Sequence, residues 1–235
     1  MSAWAAKRFW QAALAEPCDG GFTVRLDARA VKTPAKQPLV LPTLQMAQAV
    51  AAEWDTQQGL IRPDTMPLTR AANSAIDKVA PQIDAVVDEI ANYGTTDLLC
   101  YRATDPQPLI DRQAAHWAPL LDWARDELHA PLIVTHGVIP VPQPADCLAC
   151  LHAHVAAHSP FQLAALHDLV AISGSLILGL AVARQRLTGE QAFALSRIDE
   201  VWQADLWGED EDAAAQEALR REAFLTAERF LALCG

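Results

Sequence analysis

Cys147-Leu148-Ala149-Cys150, followed by His152, His154 and His158, is the stretch whose residue types come nearest to a metal site. Thiolate and imidazole are the donors that zinc prefers. Read as a helix, the stretch puts Cys147, Cys150, His154 and His158 on one stripe. A straight helix offers two ligands at i,i+4 but cannot wrap four around a tetrahedral ion. No further pair of this kind elsewhere in the sequence completes the set. The plainer reading is a stripe of buried Cys and partly exposed His. A metal-dependent enzyme using Cys147, Cys150, His154 and His158 is the alternative function to weigh. A zinc deaminase is excluded, because no His-x-Glu precedes a Pro-Cys-x-x-Cys.

Gly174-Ser175-Leu176-Ile177-Leu178-Gly179 has the glycine spacing of a phosphate loop, yet Leu180 and Ala181 stand where a Lys and a Ser or Thr are needed. Nothing there would hold phosphates or magnesium. The stretch Leu169 to Ala183 reads instead as one buried helix, with small residues that let a neighbour approach closely. No Gly-x-Ser-x-Gly elbow surrounds Ser173 or Ser175. Asp97, Asp111, Asp168 and His167 could be assembled into an acid–base site on paper, but solvated or capping carboxylates are the default. No cofactor is expected.

Glu200 is more informative. On a helix starting after Thr188, residues Leu195, Ile198, Val201 and Trp202 form the apolar face. Glu200 points away from that face, beside Arg197 and Phe193. One reading is a surface Glu paired with Arg197 at i,i+3, worth a few tenths of a kcal/mol. The other is a partner-facing acid beside an exposed aromatic, a common interface combination.

The elements that must carry these residues fall into two kinds. Asp19-Gly20-Gly21 is a turn signal, and Phe22, Val24 and Leu26 then alternate with Thr23, Arg25 and Asp27, the period of a half-buried strand. Val31 to Thr33 and Pro38 to Leu41 add two short extended pieces. From Thr43, a plausible N-cap, Leu44, Ala47, Val50, Ala51 and Trp54 follow helical spacing. After Pro67 the pattern is helical. Pro81 suits a first helical turn, Gly94 a terminator, and Pro119 should bend the helix Asp111 to His129 or mark a late start. Pro131 to Pro144 is a connector with room for one edge strand. Ser159-Pro160-Phe161-Gln162 and Thr188-Gly189-Glu190-Gln191 are capping boxes, and Glu209-Asp210-Glu211-Asp212 suits the positive end of a last helix. The expected fold is α+β: a β-rich domain with one helix over residues 1–65, then a helical domain over 66–235.

Composition narrows the function. The chain has 235 residues, enough to bury a core without staples, and a formal net charge of -11. That charge argues against nucleic acid and against an anionic membrane surface. No apolar run is long enough to span a bilayer. Five cysteines and no apolar leader point to reduced thiols in a cytoplasm-like compartment.

Six strings then occur in one order: Val31-Lys32-Thr33-Pro34-Ala35-Lys36 with Pro38-Leu39; Ala51-Ala52-Glu53-Trp54-Asp55; Thr65-Met66-Pro67-Leu68-Thr69-Arg70 leading to Asn73 and Ala75-Ile76-Asp77; Thr96-Asp97-Leu98-Leu99-Cys100-Tyr101-Arg102; Ser173-Gly174-Ser175-Leu176; and Glu200-Val201-Trp202-Gln203 to Trp207-Gly208-Glu209. In register over nearly the whole chain, they resemble the ATP synthase assembly chaperone family that binds the alpha subunit of the catalytic F(1) sector. The resemblance implies a small sheet domain followed by a helical domain. It also implies a non-catalytic holdase that keeps free alpha subunit from aggregating until beta subunits replace it. The family's acidic position maps onto Glu200, and Phe193, Trp207 and Glu209 join it as expected partner-binding residues. A monomer is expected, in the bacterial cytoplasm, with the mitochondrial matrix as the place of eukaryotic relatives. Where family members often carry glycine after Leu26-Asp27, this chain has Ala28, so residue 28 should avoid the left-handed region.

Overall fold

A computed structural model describes residues 7–137, 139–208 and 210–235. A small antiparallel sheet comes first, in the order β1-β2-β3, and helices dominate after it. The elements are β1 (Ala13–Cys18), β2 (Gly21–Leu26), β3 (Arg29–Ala30), α1 (Leu44–Asp55), α2 (Pro67–Ser74), α3 (Ile83–Asn92), β4 (Tyr101–Arg102), α4 (Gln107–Glu127) and β5 (Thr135–His136), then α5 (Ala145–Ala156), α6 (Pro160–Ser173), α7 (Leu176–Ala183), α8 (Gly189–Ser196), α9 (Ile198–Trp207) and α10 (Glu211–Ala232). The chain divides into two compact units. One holds the described residues up to Ile83 with Ser159–Ala165 and Arg229–Gly235; the other holds Asp84–His158 with Leu166–Glu228. Residue 65 lies inside the first unit.

In the first unit, Asp19 and Gly20 form a two-residue hairpin between Cys18 and its partner Gly21. Asp27, rather than Ala28, takes the left-handed conformation of the next turn (φ 50°). Its carboxylate accepts the N–H groups of Gln11 and Ala12. Thr43 caps α1, accepting the Met46 N–H at 3.1 Å. The buried side of α1 is Met46, Ala47, Val50 and Ala51, and Leu44 faces solvent. These residues close on Trp10, Val24, Leu39, Leu41, Leu68 and Phe230. Burial of that apolar area is the main stabilising term.

Polar anchors fix this core. The Glu53 carboxylate accepts the N–H groups of Leu68 (2.7 Å) and Thr69 (2.8 Å), so an anion sits at the start of α2. Asp77 accepts the Thr33 hydroxyl at 2.6 Å and the Ala35 N–H at 3.0 Å. The Arg8 guanidinium donates to the carbonyls of Trp10, Gln11, Asp55 and Gln57 and to the Asp55 carboxylate.

The second unit is organised around Asp97, which is fully buried. It accepts the Leu99 N–H at 3.0 Å, the Ser175 hydroxyl at 2.8 Å and the Ile177 N–H at 3.0 Å. The single helix expected over Leu169 to Ala183 is therefore two. Gly174 (φ +72°) breaks it, its carbonyl accepts the Leu98 N–H, and Ser175 caps α7. The small residues act as expected: a Cβ on Gly179 would stand 2.5 Å from Val170 Cγ2 and 3.2 Å from Leu166 Cδ1. Gly94 sits in a 3-10 turn after α3.

Two further expectations need adjustment, and one holds. Helix α4 begins at Gln107 and runs through Pro119, because Ala115 and Pro119 lie on the exposed side, where water can hydrate the carbonyl that proline leaves unpaired. Trp117, Leu120, Trp123 and Ala124 bury the opposite side. The connector does hold a strand, β5, but it pairs in parallel with β4, so the region after Pro67 is not purely helical. The capping boxes form at both Ser159 and Thr188.

Two outcomes follow from Asp97 and Gly179. Burial pushes the Asp97 carboxyl up from 3.8 to about 6. The native state then holds that proton more tightly than the unfolded chain. The group's contribution to stability is complete below about pH 4, declines as pH rises to 6, and is flat above that. Unfolding free energies of the wild-type chain minus those of Asp97→Asn, measured from pH 4 to 7, should fall by about 1–3 kcal/mol across that window. A difference that stays level or rises would contradict the burial argument. Gly179→Ala should lower stability by about 1–3 kcal/mol in denaturant unfolding, overpacking outweighing the helical gain of alanine.

Candidate functional site

Helices α8 and α9 are separate because Arg197 interrupts them. Its guanidinium is almost fully enclosed, the residue being 8% exposed. Nη2 donates to the Ile172 carbonyl at 3.1 Å, Nε to Ser196 Oγ at 3.1 Å, and the group lies 5.7 Å from the Phe193 ring centroid. The remaining fork donates to Glu200 Oε1 at 3.1 Å, with Glu217 Oε1 4.0 Å from Nε. Burying a guanidinium is expensive unless hydrogen bonds and counter-charges surround it, and here both do. Glu200 is thus a half-exposed acid whose inner oxygen is spoken for by a fixed cation.

The break between α8 and α9 changes the apolar face expected for a single helix. Phe193 is 5% exposed and packs against Phe224 at 5.7 Å between centroids, so it is a core ring and not an exposed aromatic. Its link to Glu200 runs through Arg197. Val201, expected to be buried, is exposed. Trp207 is 79% exposed at the end of α9, where Gly208 (φ +89°) terminates the helix and donates its N–H to the Ala204 carbonyl. Glu209 lies outside the described residues. Glu200 and Trp207 are therefore presented to solvent, Phe193 lies in the core against Arg197, and Arg197 is the residue that spacing alone undervalued. An i,i+3 Arg–Glu pair looks the same in sequence whether its cation is buried or not.

Behind α9 the packing is polar and specific. Gln113 of α4 donates from Nε2 to Asp199 Oδ1 at 2.6 Å and accepts the Ala103 N–H at Oε1. The Arg102 guanidinium donates to the Gln113 carbonyl and lies over the Trp117 ring, whose Nε1–H donates to the Leu195 carbonyl.

The Cys/His stripe has other occupations. Cys147 is buried and its thiol is pushed up to about 11 by burial, far from the thiolate that binds metal. Arg184 donates to His154 Nδ1 at 2.8 Å, which leaves Nε2–H to donate to the Leu128 carbonyl at 3.1 Å. Burial, with the adjacent guanidinium, keeps His154 below the usual imidazole range. His158, just past the end of α5, turns Nδ1 back onto the carbonyls of His154 and Val155. Among the described residues no three His, Cys, Asp or Glu side chains are grouped to hold a metal ion. The start of α7, where a phosphate would sit, is filled by Asp97.

The whole chain has close counterparts. The crystal structure of Atp12 from Paracoccus denitrificans superposes with a TM-score of 0.96 at 55% identity, covering 99% of this chain and 100% of that one. The Agrobacterium tumefaciens protein Atu1473 superposes with a TM-score of 0.93 at 40% identity, covering 97% of this chain and 86% of that one. The mitochondrial protein atp12 of Schizosaccharomyces pombe is 23% identical over 219 residues, which is 88% of this chain and 75% of the relative. The family model described as ATP12 chaperone protein matches residues 7–125. With that match extending over half of its length, the chain belongs to the ATP12 chaperone family.

Proposed function

We propose that this chain is a non-catalytic assembly chaperone for the catalytic head of an F-type ATP synthase. It binds the free alpha subunit and keeps it from aggregating until beta subunits take its place. The observation that carries this reading is the likeness to Atp12 of Paracoccus denitrificans, 55% identical along essentially the full length of both chains. The physics agrees. A subunit of an alternating ring exposes apolar surface before assembly, and such surface self-associates. A chaperone need only cover it and be displaced by a partner of higher affinity.

On this reading Glu200 and Trp207 meet the client, with Arg197, packed on Phe193, fixing Glu200. Glu209 is a third client contact by its place in the sequence. The chain acts as a monomer in a reducing compartment, the bacterial cytoplasm; its five cysteines are free thiols. Among the described residues, no helix is long and apolar enough to cross a membrane.

Light scattering of purified alpha subunit tests the function. With an equimolar amount of this protein the aggregation rate should fall severalfold; a rate equal to that in buffer would end the assembly reading. The site is tested separately by Glu200→Gln. Arg197 keeps its bonds to Ile172 and Ser196, and the lost pair is partly exposed, so stability should change by less than about 1 kcal/mol. Affinity for the alpha subunit should drop at least about tenfold. Unchanged affinity would remove Glu200 from the site and leave the function untouched.

A further inference from the structure

Every described residue from Asp205 to Ala223 except Glu217 is exposed. This is the end of α9 and the first three turns of α10, so two helical segments stand in water with little packed against them. Local chemistry explains how α10 holds its shape there. Asp210 accepts the Ala213 N–H at 2.8 Å, Glu211 and Asp212 occupy the first turn, and Ala213, Ala214, Ala215 and Ala218 are the best helix formers. Propensity does not explain why Leu206 (58% exposed), Trp207 and Leu219 (61% exposed) face solvent here. Aromatic and aliphatic anchors on a pre-formed helix are what binding hot spots are made of.

Charge narrows the partner. Residues 205–223 contain seven acids and two arginines, and from Ile198 to Leu219 there is no Lys, Arg or His. Arg221 is already paired with Glu190. Asp205 has Arg112 at 3.8 Å and Glu217 has Arg197 at 4.0 Å, contacts long enough to leave both acids able to meet an outside cation. An acidic surface repels anionic lipid and nucleic acid. It also disfavours a second copy, since a two-fold contact sets like patches face to face.

From these observations we infer that the Asp205–Ala223 surface docks an amphipathic protein segment whose apolar face is rimmed by Lys and Arg. The inference rests on the reading of Trp207 as client-facing and specifies the chemistry of what it meets. Leu206, Trp207 and Leu219 enter the apolar face of the segment; the acids hold its rim and speed its approach.

Titration calorimetry of the full chain with two synthetic amphipathic helices reads this directly. Both carry one apolar face; one has Lys and Arg on its polar side, the other Glu and Asp. The basic helix should bind at least about tenfold more tightly, and the preference should shrink as salt rises from about 50 to about 500 mM. A chain carrying Leu206→Ser and Trp207→Ser, its folding checked by circular dichroism, should lose at least about tenfold in affinity. Equal binding of the two helices, or an unaltered affinity in the double variant, overturns the inference. So does dimerisation that the double variant abolishes, which would assign the surface to a second copy. If the basic helix binds while alpha subunit still aggregates, the surface stands and the assembly reading falls. If the double variant protects alpha subunit as well as wild type, the surface falls and the assembly reading stands.

Discussion

Three donors converge on the carboxyl of Asp97, from Leu99, Ser175 and Ile177, and all of them are buried. The contacts from Ser175 and Ile177 cross 78 and 80 residues of sequence. They decide that α6 stops at Ser173, that α7 starts at Leu176, and that the turn after Thr96 faces inward. The apolar run Leu176 to Val182 can then be buried on all sides, because the polar groups at its start already have a partner. Without such an acceptor, a helix N-terminus cannot sit in a core. The same carboxyl occupies the place where a nucleotide phosphate would otherwise be held.

Much of this architecture can be read from residue types. Strand alternation from Phe22 to Leu26, the cap at Thr43 and the boxes at Ser159 and Thr188 are local rules, and they hold locally; Asp27, at the end of the alternating run, already belongs to the turn. Long-range partners are what local rules miss. Leu169 to Ala183 reads as one helix because its apolar character is continuous, and only Asp97 shows why it must break. Phe193 reads as exposed because one continuous helix from Thr188 turns it outward. With the helix ending at Arg197, the face of α8 need not continue that of α9, and Phe193 packs on Phe224. The position of Glu200 beside Arg197 was legible from spacing. The burial of that cation was not, since it depends on the Ile172 carbonyl, twenty-five residues away.

The second unit places opposite demands on neighbouring residues. Arg197 is enclosed and bound on every side, whereas the segment from Asp205 onward has almost no enclosure. Under the proposed function, an acid held by a buried cation and a sparsely packed helical end would suit the grip on a client whose own surface is incomplete. The cation fixes where the acid stands, and the exposed helices keep apolar groups ready without a core to hide them in.

The strings that carry the family resemblance are joined to one another by the polar anchors. Thr33 of the first meets Asp77 of the third, Glu53 of the second meets Leu68 and Thr69 of the third, and Asp97 of the fourth meets Ser175 of the fifth. Five of the six are thus clasps of the scaffold. The end of α9 and the first turns of α10 carry none of these clasps, so a lineage could remodel that stretch while the framework stays shut.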